Sequence, residues 1–95
     1  MSNRDATLKQ LQAQLEVWGA EIDLLRAKAD KAGADARAEL QAKIQELQTK
    51  QHEAQDKVTQ LRNASEDAWE DLKTGAERAW HDLGEAVKFA ADRFK

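Results

Sequence analysis

Ala29-Asp30-Lys31-Ala32-Gly33-Ala34-Asp35-Ala36-Arg37-Ala38-Glu39-Leu40 is the segment on which the architecture depends, because it holds either one helix or the turn between two. Before it, apolar residues fall at Leu8, Leu11, Leu15, Trp18, Ile22, Leu25, Ala29, Ala32 and Ala36, in alternating steps of three and four. That spacing is a heptad seam, the pattern of helices that pack as a coiled coil. Beyond it the seam runs on through Leu40, Ile44, Leu47, Gln51, Ala54, Val58 and Leu61, after two successive steps of four around Leu40. In an unbroken helix such a slip is a stutter that locally unwinds the supercoil. At a chain reversal, Gly33 would serve as the C′ glycine of one helix and Asp35 as the N-cap of the next. Alanine is the best helix former, and Gly33 is the segment's only breaker. The expectation is therefore a continuous helix over residues 5–62, with a three-helix bundle turning at Gly33 as the alternative.

Downstream, Glu39 with Lys43, Glu46 with Lys50 and Glu53 with Lys57 are spaced four apart in the favourable order and read as a solvated face. The seam ends at Asn63-Ala64-Ser65-Glu66-Asp67, where Asn63 as cap, with Glu66 three residues on, predicts a new helix over residues 66–94. This segment repeats every eleven residues: Ala68-Trp69-Glu70-Asp71-Leu72 returns as Ala79-Trp80-His81-Asp82-Leu83. Eleven residues make three turns, so Trp69, Leu72, Ala76, Trp80, Leu83, Val87 and Phe94 share one face.

Folded back antiparallel, that face matches the preceding seam along its length. Leu61 meets Trp69, Val58 meets Leu72, Ala54 meets Ala76, Leu47 meets Leu83, Ile44 meets Val87 and Ala36 meets Phe94. Gln51 falls opposite Trp80, whose indole N–H is expected to donate to it, since a buried polar group needs a partner. The fold class is thus all-α, a single coiled-coil domain over residues 1–95 built as an antiparallel helical hairpin. A continuous first helix of roughly 87 Å would leave Leu8, Leu11, Leu15, Trp18, Ile22 and Leu25 uncovered. Each such side chain is worth about 1.5–3 kcal/mol when buried, so an antiparallel homodimer is expected across that seam.

Composition limits function. The 95 residues include no proline and no cysteine, which excludes a disulfide framework and thiolate chemistry. Ten basic and ten acidic residues lie up to Ala64, and five basic and eight acidic from Ser65 onward. No cluster of Lys and Arg offers a footprint for nucleic acid. The polar start Met1-Ser2-Asn3-Arg4-Asp5 carries no leader-like apolar run, so the cytoplasm is the expected location. His52 with Asp56, and His81 with Glu77 and Glu85, stand at helical spacing, but a zinc site needs three or four converging ligands. They read as surface histidines, and no metal, cofactor or catalytic residue is assigned. Trp18, Trp69 and Trp80 read as core knobs before they read as lipid anchors. A partner protein is a further candidate, and a membrane surface, met by the residue 66–94 face, the lesser one.

The segment Asp67-Ala68-Trp69-Glu70-Asp71-Leu72-Lys73-Thr74-Gly75-Ala76-Glu77-Arg78-Ala79-Trp80, followed by Leu83, Ala86 and Arg93-Phe94, resembles the C-terminal signature of a family of small bacterial coiled-coil proteins. The resemblance extends to Trp18-Gly19-Ala20-Glu21-Ile22-Asp23-Leu24-Leu25 and Lys28-Ala29-Asp30-Lys31-Ala32. It implies a protein of the stress response or simply a coiled-coil protein, with no known active site to carry over. The eleven-residue period is more loosely similar to repeats of exchangeable apolipoproteins and desiccation-linked late-embryogenesis proteins, which implies a membrane or protective role.

Overall fold

A computed structural model describes residues 3–94 as three helices, α1 (Asn3–Lys31), α2 (Ala34–Arg62) and α3 (Glu66–Arg93), in a rod of 51 × 20 × 18 Å. The chain runs up, down and up. Arg4 of α1 reaches the carbonyl oxygens of Leu61 and Ala64, and Arg93 of α3 meets Glu39 of α2 at 3.0 Å, so α2 is antiparallel to both neighbours. It lies against each along its length, while α1 and α3 touch less.

The expected helix over residues 5–62 is therefore two helices, and the hairpin is a three-helix bundle. Local propensity favoured continuity, but one chain can cover its first seam only by turning. Leu15, Ile22, Leu25 and Ala29 are buried on α1, and Leu8, Leu11 and Trp18 pack against the same core. At about 1.5–3 kcal/mol for each large side chain covered, that burial outweighs the few backbone bonds lost at a two-residue break.

The turn itself differs from the expected one. Gly33 has φ −67° and ψ 167°, an extended conformation open to any residue, and it is the N-cap of α2 and not a left-handed C′ glycine. Asp35 sits in the first turn of α2 and not at its cap. The α1 carbonyls find their partner in Arg37. Its Nε donates to Ala29 O at 3.1 Å, and one terminal nitrogen donates to Asp30 O at 3.3 Å and Ala32 O at 3.2 Å. A cation placed on the carbonyls at a helix C-terminus is doubly favourable, by hydrogen bond and by dipole.

At the second reversal Asn63 closes α2, its N–H donating to Thr59 O at 3.2 Å. The cap of α3 is Ser65, two residues later than expected, whose Oγ accepts from the Ala68 N–H at 3.2 Å. Glu66 and Asp67 then occupy the first turn, where negative charge favours the helix dipole.

The α2–α3 pairing leads to the core. Ala54, Val58, Leu61, Ala76, Leu83 and Ala90 are 0% exposed, with Leu40, Ile44, Leu47, Trp80 and Val87 completing the stack. Among the described residues no buried side-chain nitrogen or oxygen lacks a partner.

Candidate functional site

The two sets of residues singled out by their spacing converge on one core. Ala76, Trp80, Leu83 and Val87 of α3 are buried, and Trp69, Leu72 and Phe94 pack at its edge against α1 and α2. The seam of residues 8–25 is covered by the chain's own α2 and α3, so it is not the open surface from which a dimer was expected. Neither set stands free as a site.

The tryptophans show how closely α1 docks. Trp80 Nε1 donates to Leu11 O at 3.2 Å, and not to Gln51 as the hairpin register predicted. A helical carbonyl has a second lone pair to offer beyond its own i+4 bond, and only a three-helix arrangement brings one to the indole. The ring of Trp18 lies 6.5 Å from that of Trp80, tilted by 54°. It also lies close against Gly84, where an added Cβ would stand 3.0 Å from Cζ2. Gly84 thus lets an indole of α1 approach α3. Gln51 instead lies beside Gly19, its Nε2 3.1 Å from where a Cβ at that glycine would stand. At the other end the Arg4 guanidinium sits 4.6 Å over the Trp69 ring while donating to Ala64 O at 2.6 Å, tying the start of α1 to the second turn.

Chemistry-bearing groups do not gather. His81 Nε2 and Glu85 Oε1 are 3.9 Å apart with both side chains about three-quarters exposed. Among the described residues no three His, Cys, Asp or Glu side chains are grouped to hold a metal ion. No described helix is long and apolar enough to cross a membrane.

What remains on the surface is a second stripe on α1. Val17 is 52% exposed and Leu24 61%, and Ala13, Ala20 and Ala27 are exposed between and beside them. Residues 13, 17, 20, 24 and 27 repeat the steps of four and three, on the face opposite Leu15, Ile22 and Ala29. Glu16, Asp23 and Asp30 flank one side; Gln14, Glu21 and Lys28 flank the other. The same spacing rule applied twice to α1 would have found this stripe in the sequence. Three of its five members are alanine, and beside a run of Leu, Ile and Trp the signal is faint. Phe89 of α3, 60% exposed, is a separate apolar spot beneath Lys43, whose Nζ lies 5.4 Å from the ring centroid.

No protein family, no curated protein and no solved structure matches the chain.

Proposed function

We propose that this is a non-enzymatic interaction protein that works by packing helix on helix, first of all with a second copy of itself. The observation that carries this reading is the outer stripe of α1. A heptad-spaced apolar row on a helix that already buries its opposite face has the geometry to seat another helix. In a parallel pairing of two α1 helices the alanines permit close approach; Asp23 of each copy stands toward Lys28 of the other, and Glu16 toward Glu21. No catalytic role, cofactor or nucleic-acid partner enters this reading; the family resemblance supports a place in a bacterial stress response, with the cytoplasm as its expected location.

Sedimentation equilibrium over a concentration series tests it. The apparent mass is expected to rise from 10.7 kDa toward twice that value, and to stay at the monomer value when Val17 and Leu24 are both changed to Glu. A natural chain that remains monomeric throughout would remove self-association.

A second reading has one observation in its favour. The interface between α1 and α3 is the slighter one, and an open groove runs there past Trp18, Trp80 and Gly84. Opening along that groove, followed by release of α3 from α2, would present Trp69, Leu72, Trp80, Leu83 and Phe94 to a lipid surface. Zwitterionic and anionic vesicles would then shift the tryptophan emission to the blue, and no shift with either composition would dispose of the membrane role.

A further inference from the structure

We infer that two copies of the chain can exchange α1 by straightening the turn at Ala32–Gly33, so that each α1 docks on the α2–α3 hairpin of the other copy. The inference rests on the reading of the protein as self-associating, but it uses a different surface from the outer stripe.

The turn carries little that resists straightening. Gly33 already has a negative φ of −67°, and only ψ must change for it to join a helix. A Cβ there would meet nothing within 4 Å, and its N-cap position has no side-chain hydrogen bond. The three carbonyls that Arg37 holds, those of Ala29, Asp30 and Ala32, are the ones that the N–H groups of Gly33, Ala34 and Ala36 would take in a continuous helix. The side-chain bonds of Arg37, and the bond from the Ala32 N–H to Ala29 O, are thus traded for i-to-i−4 backbone bonds.

Every other contact of α1 survives the exchange, made between copies instead of within one. Trp80 still donates to a Leu11 carbonyl, Trp18 still lies on a Gly84, and Arg4 still caps a second turn. The product is a pair of antiparallel helices, each continuous through Gly33 and crossing at that residue, with an α3 along each end. This is the long-helix antiparallel dimer that the seam predicts. It also accounts for the alanines at 32, 34, 36 and 38, which are strong helix formers around a break and small enough for two helices to cross closely. Short hinges between packed elements are where such exchange occurs.

Two substitutions at one residue pull in opposite directions. Gly33→Ala improves the straight helix and weakens the N-cap, and with two hinges in each dimer it should tighten dimerisation by roughly tenfold or more. Gly33→Pro fits φ −67° in the turn but breaks a continuous helix, and should leave the exchanged dimer below detection. Sedimentation equilibrium reads both.

A chain carrying Lys28→Cys and Arg93→Cys, treated with a short bismaleimide, reports which copy α1 docks on. Lys28 Nζ lies 3.3 Å from the Phe94 carbonyl oxygen, and the natural sequence has no cysteine to interfere. Exchange predicts cross-links between chains in the dimer fraction and within chains in the monomer fraction. A dimer that ignores both Gly33 substitutions, cross-links within chains and is lost on changing Leu24 to Glu would overturn exchange and leave the outer stripe standing. Monomers at every concentration, with Gly33→Ala included, would overturn both.

Discussion

The two turns of this bundle join helices of nearly equal length, yet they are built differently. The second carries its own helix signals, with Asn63 ending α2, Ser65 supplying a side-chain cap and Glu66 and Asp67 charging the first turn of α3, and Arg4 of α1 adds hydrogen bonds to the carbonyls of Leu61 and Ala64. At the first, Gly33 contributes no side-chain cap bond, alanines flank it on both sides, the side-chain hydrogen bonds come from Arg37, the fourth residue of α2, and Asp35 is the one acidic residue in the first turn. The stop and the cap of the second reversal are encoded locally. The first exists because α1 has a seam to bury, so it is an effect of tertiary packing and will persist only while that packing does.

The largest test of this contrast is Ile22→Ala. Ile22 is 2% exposed and far from either turn, and its truncation should cost about 3 kcal/mol of unfolding free energy in urea. Because the first turn depends on α1 docking, amide exchange in α1 and around Gly33 should accelerate before that around Ser65. Equal acceleration in both turns would erase the distinction. Gly84→Ala comes next, at about 1–2 kcal/mol, since a methyl 3.0 Å from Trp18 forces the indole to shift. Its distinguishing mark is a red-shifted tryptophan emission at unchanged helical content. Ser65→Ala should cost about 1 kcal/mol by removing the cap of α3, with faster exchange confined to the second turn. The smallest effect has the opposite sign. Gly33→Ser adds the cap that the first turn lacks and should raise the thermal midpoint by an amount worth a few tenths of a kcal/mol. A loss of stability there would mean that Gly33 is held by something other than its extended backbone.

The same contrast explains what was legible in the sequence. The absence of proline, the heptad steps and the eleven-residue repeat identify an all-helical chain, and matching α2 to α3 brings the right residues to the core, from Leu61 and Trp69 to Ile44 and Val87. The break at residues 63–65 was legible because its chemistry is local, although the cap fell on Ser65 instead of Asn63. The break at Gly33 was legible only as the alternative, a three-helix bundle turning there, because helix propensity is a sum over neighbours, whereas the deciding energy is burial of α1 against α2 and α3. Trp80 was given the wrong partner for a related reason: a two-helix register offers it Gln51, while the oxygen it reaches belongs to α1. The outer stripe was overlooked because alanine, whether buried or exposed, carries little hydrophobic contrast.

The rod shape has a consequence for how the molecule moves. A body of 51 × 20 × 18 Å meets more friction along its flanks than a sphere of the same mass, and it tumbles about its long axis faster than end over end. A dimer made by exchange would stretch this further, to roughly 90 Å for each continuous helix of about 60 residues at 1.5 Å apiece. Its diffusion would slow by more than a doubling of mass implies. The stripe of Val17 and Leu24 would then lie along the shafts of a long rod and not on a globule, so a partner helix could meet it side-on over many turns.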